Sequence, residues 1–333
     1  WRHHLGSHEK RHLYVLLDEN VDQAFPDLMS IVFDKPLYTI HVKKLKGGES
    51  TKTIATAIEI WDELSALKAD RSWVIVSIGG GTLSDLAGFI ASSYKRGVPC
   101  VFLPSSLMAM IDASVGGKNA LNQGVLKNQI GTYYFPEFIF VYPPFLKSLP
   151  QKEYKSGYAE LIKHSLLHSS DNLWKKLLHR NTLDLPNAKL LTDAIRIKMK
   201  IVEKDPFEKH ERLFLNFGHS FGHAIESHYN NSGKSISHGE AVAYGMQFAL
   251  FVSKKEGLLT DNVAKNLSET LQAQYPFPKD LQFTDFSAYM SHDKKVLHGK
   301  LRVILFRDFG KFSIAQFEDS ELKTLYQDFC SQI

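Results

Sequence analysis

His219, His223 and His238 fall within twenty positions of one another, and the first two are four residues apart. On a helix that spacing turns both imidazoles to one face, and Gly218 and Gly222 leave room beside them. A lone histidine usually reads as a satisfied structural residue, and His164, His168, His179, His210, His228, His292 and His298 are assigned that way. Three together with small neighbours point instead to a metal ion. A catalytic zinc takes three ligands of the His/His/carboxylate kind and keeps one position open. Spacing alone pairs His219 with His223. The helical stretch Tyr158-Ala-Glu160-Leu-Ile-Lys163 offers a carboxylate beside small Gly157 and Ala159. Glu160 and Lys163 are also i, i+3 neighbours, and spacing alone makes them a surface ion pair worth roughly a few tenths of a kcal/mol.

A second chemistry is suggested where the apolar run Trp73 to Ile78 feeds into Gly79-Gly80-Gly81 and then a helical pattern from Leu83 to Tyr94, with Asp85 in its first turn. A strand, a glycine turn and a helix start let backbone approach a pyrophosphate, whose oxygens meet the first N–H groups of the helix. The spacing is not G-x-G-x-x-G, so a merely tight turn stays open as the alternative. Asp18-Glu19-Asn20 closes the first strand run; it could meet a ribose, but reads on its own as a turn. Ser114-Val-Gly-Gly-Lys118 and Gly124-Val-Leu-Lys127-Asn128 put glycine beside lysine, as an anion-binding loop needs. Among 40 Lys and Arg, however, most must be solvated surface residues.

The elements that would carry these residues alternate in the first half: apolar runs at 13–17, 37–42, 73–78 and 101–103 with helical patterns at 54–67 and 83–93. That is the look of βαβ units over a mostly parallel sheet. After Pro150, helical periodicity dominates at 152–168, 188–202, 219–229 and 240–256, so domains are expected at 1–149 and 150–333. Leu301–Phe306 and Lys311–Gln316 flank Arg307-Asp308-Phe309-Gly310 as a β-hairpin. At 333 residues, two cores of ordinary size are expected, and 44% apolar with 23% charged residues is a globular composition. The apolar run Ala241 to Val252 is too short for a membrane span. Cys100 and Cys330 form no metal-binding spacing, which suits a reducing cytoplasm. A net charge of +4 without a long basic run argues against nucleic acid and leaves an anionic small molecule. Trp1 to His12, rich in histidine, reads as an appended segment outside the functional argument.

The order Gly79-Gly-Gly…Asp85, Met110-Ile-Asp112-Ala-Ser-Val-Gly-Gly-Lys118, Lys127-Asn128, Gly157-Tyr-Ala-Glu160-Leu-Ile-Lys163, Asn216-Phe-Gly-His219, His238-Gly-Glu240 and Asp293-Lys-Lys295 resembles the 3-dehydroquinate synthases over nearly the whole chain. The resemblance implies a homodimer with an α/β, Rossmann-like NAD-binding domain and a mainly α-helical metal- and substrate-binding domain. It makes Glu160, His219 and His238 the metal ligands, zinc or cobalt, overruling the spacing-only pair, and gives His223 proton transfer near the substrate phosphate. Lys163 and Glu208 join His223 as catalytic positions. NAD would be held by Asp18, Asn20, Glu49, Lys52, Gly80, Gly81, Thr82, Asp85, Ser105, Ser106, Lys127, Phe145 and Ser148. Substrate would meet Asp112, Lys118, Asn128, Lys163, Lys198, Arg212, Asn216 and one of Lys294 or Lys295, with Arg96 reaching across from the partner subunit.

The implied reaction converts 3-deoxy-D-arabino-heptulosonate 7-phosphate to 3-dehydroquinate and phosphate, in the shikimate pathway of aromatic amino acid biosynthesis, with NAD used and restored in each turnover. Ser105-Ser106 stands where the family usually has a Thr pair, Asn119 where Thr is common and Ser156 where Asn is frequent. The stretch from His223 to His238 is slightly long and that before Asp18 short. Related cyclases such as 2-deoxy-scyllo-inosose synthases and sedoheptulose 7-phosphate cyclases are the nearest alternative; their substrates lack the carboxylate that Lys198 and Arg212 would clamp. Metal-dependent polyol dehydrogenases, which release NADH, are the oxidoreductase alternative, and a non-catalytic binding module is the third. Gly47-Gly48 and the segment from His223 to His238 are the expected moving parts.

Overall fold

A computed structural model describes residues 11–33, 37–124, 126–178, 184–290, 296–297 and 300–333. The chain divides into two compact units, 1–150 and 151–333. No helix among the described residues is long and apolar enough to cross a membrane. His179, His292, Lys294, Lys295 and His298 lie outside the described residues, as does most of the segment read as appended.

The first unit is built on β1 (Arg11–Asp18), β2 (Tyr38–Leu45), β3 (Val74–Gly79), β4 (Cys100–Pro104) and the short β7 (Phe138–Ile139), all parallel in the order β2-β1-β3-β4-β7. β3 and β4 are buried at every position, which is why their sequences are almost wholly apolar, Ser77 being the polar residue within β3. β2 lies at the sheet edge and is half exposed, with Lys43 and Lys44 on it. The helices are α1 (Glu19–Ala24), α2 (Leu28–Val32), α3 (Ile54–Ala66) and α4 (Gly81–Ser93). Ile60 and Leu64 of α3 and Leu86 and Ile90 of α4 join Leu16 and Ile75 in one core. Thr53 caps α3 by accepting from Thr56 N.

Two expectations need correction here. Arg11 and His12 are the opening residues of β1 rather than part of an appended segment, and the His12 ring stacks on Trp73 with centroids 4.6 Å apart. The two glycine–lysine loops are the flanks of an antiparallel hairpin, β5 (Lys118–Gln123) with β6 (Leu126–Tyr133). Gly124 makes the turn at φ +61°, and Lys127 and Asn128 lie on β6. β6 is exposed almost throughout and carries Lys, Asn, Gln, Gly and Thr, so no apolar alternation betrays it.

The second unit contains α5 (Gln151–Leu167), α6 (Asn172–Leu178), α7 (Ala188–Lys204), α8 (His219–Asn231), α9 (His238–Lys255), α10 (Asp261–Gln274), α11 (Phe283–Met290) and α12 (Asp319–Cys330). A small sheet in the order β10-β9-β8 completes it, from β8 (Val296–Leu297), β9 (Lys300–Asp308) and β10 (Lys311–Phe317), with Gly310 at φ +71° in the expected hairpin. α9 is buried along nearly its whole length. Gln247, which interrupts its apolar run from Ala241 to Val252, is satisfied by donating to Tyr275 O at 2.8 Å. Phe248 sits among Phe221, Tyr326 and Phe329, and each such buried ring contributes on the order of 2–3 kcal/mol.

Candidate functional site

In the second unit, three helices converge because their glycines leave no side chain between them. A Cβ on Gly239 would lie 1.9 Å from Ser156 O, seating the start of α9 on α5, and one on Gly245 would lie 1.9 Å from Gly218 O, seating α9 on α8. Gly218 itself is left-handed at φ +79°. Ser156 adds a hydrogen bond, accepting from Gly239 N at 3.0 Å, and Ser237 caps α9 by accepting from Glu240 N. These contacts bring Glu160 of α5, His219 of α8 and His238 of α9 together.

Glu160 Oε1 lies 3.6 Å from His219 Nε2 and 3.8 Å from His238 Nε2. A tetrahedral ion with bonds of about 2.0–2.1 Å spaces its ligand atoms about 3.3 Å apart, so both Glu160–histidine separations stand near those one ion would impose. His219 Nδ1 is 3.2 Å from Phe217 O, and His238 Nδ1 is 2.9 Å from Glu226 Oε2. With Nδ1–H donated in each case, both Nε2 lone pairs face the carboxylate. Glu160 is wholly buried, and no hydrogen bond reaches Oε1. A buried carboxylate oxygen without a donor is what a cation would satisfy, so these residues fit a divalent metal.

The surface reading of the Glu160–Lys163 pair is wrong: the pair forms, but Glu160 is 0% and Lys163 1% exposed. Spacing records periodicity, not what packs on the helix. His223 is exposed, with its ring centroid 5.1 Å from that of His219 and 5.5 Å from that of His238. His219, His223 and His238 can also each offer an atom within 4.8 Å of the others, so geometry leaves a three-histidine set available. Burial lowers the His238 pKa, but the Glu226 hydrogen bond and the charges of Glu226 and Glu160 outweigh it and raise the pKa overall. Glu226, conspicuous only as the end of a histidine-rich stretch, went without a role in the sequence.

A second group follows α7. The Asp205 carboxylate accepts from the backbone N–H groups of Lys209, His210 and Arg212 at 2.9, 2.6 and 3.1 Å. The turn so made holds Glu208 at φ +57° and directs Asn216 Nδ2 to Glu208 Oε1 at 2.6 Å. Burial would raise the Asp205 pKa, yet the three N–H donors hold it below the ordinary 3.8. Arg212 is 1% exposed and donates through Nη1 to Pro206 O, and Lys198 is 7% exposed.

In the first unit, Gly80 is the N-cap of α4, and Gly81 and Thr82 are its first residues. A Cβ on Gly81 would lie 2.8 Å from Ala113 Cβ and one on Gly79 2.6 Å from Leu83 Cδ2, so these positions need glycine for packing. Asp85 is the fifth residue of α4, one turn beyond its expected place, because the helix starts at Gly81. There Lys52 Nζ donates to Asp85 Oδ2 and to Asn128 Oδ1, both at 2.5 Å. Asp18 caps α1, accepting from Asn20 N at 2.8 Å and Asn20 Nδ2 at 3.1 Å. Ser105 N donates to Gly79 O, and Ser106 Oγ accepts from Ala109 N. The latter starts the π-helical turn Ala109–Ala113 that carries half-buried Asp112.

Phe145, with Phe25, Leu28, Leu103, Phe140 and Tyr142, lines an apolar cavity of about 370 Å³. Ser148 donates to Phe145 O at 3.0 Å. Glu49 opens a short 3₁₀ turn just after Gly47-Gly48, and Lys118 is exposed at the start of β5. Arg96 is exposed at φ +67°, beside Lys95 at +49° and Gly97 at +118°. Three successive left-handed residues mark a strained segment.

Family profiles for the N-terminal and C-terminal parts of 3-dehydroquinate synthase match residues 42–156 and 157–296. The chain is 35% identical to the 3-dehydroquinate synthase of Clostridium beijerinckii over 90% of its length and 86% of that protein's. The chain belongs to the 3-dehydroquinate synthase family. The enzyme of Leptospira interrogans is 40% identical over 83% of this chain and 76% of its own. Among solved structures, 2-deoxy-scyllo-inosose synthase complexed with carbaglucose-6-phosphate, NAD+ and Co2+ superposes at TM-score 0.85 with 27% identity, over 96% of this chain and 91% of that one. The 2-epi-5-epi-valiolone synthase of Streptomyces hygroscopicus, at TM-score 0.84 and 22% identity over 98% and 92% of the two chains, shares the fold. As a member of the 3-dehydroquinate synthase family, the chain is an enzyme of the phosphate-eliminating cyclase type.

Two departures from the family pattern have local explanations. Asn119 is 3% exposed and donates to Gly117 O and Tyr134 O at 2.9 and 2.8 Å. Its amide fills the space over Gly88, where a Cβ would come 1.8 Å from Oδ1. Ser156, at a position where Asn is frequent, still accepts a hydrogen bond through its side chain, as described above.

Proposed function

We propose that this chain converts 3-deoxy-D-arabino-heptulosonate 7-phosphate to 3-dehydroquinate and phosphate, as a homodimer in the cytoplasm. The reading rests first on the buried carboxylate of Glu160 facing the two Nε2 atoms, in a chain of this family. Residues 1–149 serve as the NAD-binding domain and 150–333 as the metal- and substrate-binding domain. Glu160, His219 and His238 hold one divalent ion; two imidazoles and a carboxylate suit zinc, and cobalt also accepts them. An ion held there would make a bound substrate hydroxyl more acidic, and NAD would supply a hydride acceptor that is restored within each turnover.

The protein's own residues orient and neutralise. Glu226 fixes the His238 ring, and Lys163 balances the Glu160 charge. Arg212 and Lys198, already dehydrated, clamp the substrate carboxylate, with Arg contributing a planar fork. Asp112, Lys118, Asn128, Asn216 and one of Lys294 or Lys295 hold the remaining polar groups of the substrate. Arg96 is added by the partner subunit. His223, exposed one turn from His219, moves a proton near the phosphate, and Glu208, held by Asn216, serves a second proton step. NAD is met by Asp18 and Asn20, by Glu49 and Lys52, by the turn at Gly80, Gly81 and Thr82, and by Asp85, Ser105, Ser106 and Lys127. Phe145 and Ser148 would complete the NAD contacts. Gly47-Gly48 and the segment joining His223 to His238 adjust as ligands enter.

The test is phosphate release by metal-loaded protein with catalytic NAD, with NADH absorbance followed throughout. Release of phosphate and 3-dehydroquinate without net NADH is expected. Accumulating NADH would favour a polyol dehydrogenase. Turnover of glucose 6-phosphate or sedoheptulose 7-phosphate instead would reassign the chain to a cyclase for uncarboxylated sugars.

A further inference from the structure

We propose that Asn122 is a positioning residue that locks the NAD-facing residues Glu49 and Lys52 to the substrate-facing residue Asn128. This rests on the roles proposed above for those three residues. Asn122 Nδ2 donates to Glu49 Oε2 at 2.6 Å, and Asn122 N donates to Lys52 O at 2.9 Å. Asn122 Oδ1 accepts from Asn128 N at 3.1 Å. A fourth bond, Lys52 Nζ to Asn128 Oδ1 at 2.5 Å, closes the ring of contacts.

The hairpin geometry explains why Asn122 can reach both sides. Leu121 pairs with Ile130 and Gln123 with Leu126, so Asn122 alone opposes Lys127, Asn128 and Gln129. Such a bulge breaks the ladder and re-aims side chains. At its crest Asn128 is left-handed, φ +56°, a conformation costing on the order of 1–3 kcal/mol unless its surroundings hold it. The surroundings here are Asn122 Oδ1 on the Asn128 N–H and Lys52 on its side chain. An amide suits position 122 because it donates and accepts through one rigid plane. Aspartate would only accept, and would set a second carboxylate against that of Glu49. Alanine would leave both Glu49 and the Asn128 N–H without this partner.

The test uses Asn122→Ala and Asn122→Asp in the full, metal-loaded chain. Its readouts are the dissociation constant for NAD, the KM for 3-deoxy-D-arabino-heptulosonate 7-phosphate, kcat and the unfolding midpoint. Loss of a hydrogen bond to a charged group predicts a rise in the NAD constant of about tenfold for alanine and more for aspartate, with KM rising in parallel. The unfolding midpoint should stay near that of the parent. Because Asn122 acts on NAD through Glu49, its alanine variant should have little further effect on NAD affinity in a Glu49→Gln background. A lowered midpoint or active fraction with unchanged dissociation constant and KM would mean a purely structural role and overturn the proposal. Glu49→Gln and Asn128→Ala separate the two levels of the argument. If they leave NAD affinity and KM unchanged, the underlying assignment of those residues falls, and the positioning role with it. If they raise them while the Asn122 variants do not, only the positioning role falls.

Discussion

Glu160 and its two histidine neighbours set the sharpest question at the scale of single residues. His219 is buried with Nε2 at 3.6 Å from the carboxylate, whereas His223 is exposed on the next turn of the same helix. His219→Ala should therefore lose bound metal, while His223→Ala should retain it and lower kcat; metal analysis of the purified variants checks both. Loss of metal from His223→Ala would favour the three-histidine set. Arg212 carries a separate expectation. Arg212→Ala should reduce kcat/KM far more with the carboxylate-bearing substrate than with an analogue lacking that group, by about 2–3 kcal/mol of differential binding if one charge-assisted pair is lost. Equal losses on the two would place Arg212 in the protein's framework rather than on the substrate. The residue types at these positions were legible in the sequence, and so was their order. Their burial was not, since an i, i+3 Glu–Lys pair looks the same on a solvated face as under two other helices.

Packing of whole elements decides whether those residues meet. The start of α9 reaches α5 only because Gly239 has no side chain, with its would-be Cβ 1.9 Å from Ser156 O. Gly239→Ala should force the two helices apart, destabilising the protein by about 1–3 kcal/mol and weakening metal retention through His238. Thermal unfolding of the metal-free form and metal titration measure the two effects separately. The turn at Asp205 makes a prediction with a definite sign. Its folded pKa lies below the ordinary 3.8, so its contribution to stability is complete above that value and is lost as pH falls through the depressed one. Asp205→Asn should therefore show a deficit in unfolding midpoint that is constant near neutrality and shrinks below about pH 4. A deficit unchanged down to strong acid would show that the carboxylate charge is not what the three N–H groups hold. Of the parallel strands, β3 and β4 were the most legible, because they are buried throughout and their residues are almost all apolar. The β5–β6 hairpin was not, because one strand faces solvent and its bulge at Asn122 breaks any alternation.

Across the whole molecule, the change from strand alternation to helical periodicity after Pro150 was visible because the two kinds of core impose different periods. The hand-over of a residue between subunits leaves no such trace in periodicity. Arg96 stands exposed on a segment of three left-handed residues, a conformation that a solvated arginine has no need to maintain. If it completes the active site of the partner, two inactive variants should rescue each other. In Arg96→Ala the metal site is intact, and in His219→Ala the arginine is intact. A mixed dimer then contains one site with its own metal ligands and an arginine from across the interface. Random reassortment gives half mixed dimers with one working site each, hence about a quarter of the parent activity. Were Arg96 to act within its own subunit, every site would lack either metal or arginine, and mixing would restore nothing. Refolding the two variants together and apart, with dimer exchange followed by differential tagging, distinguishes these outcomes.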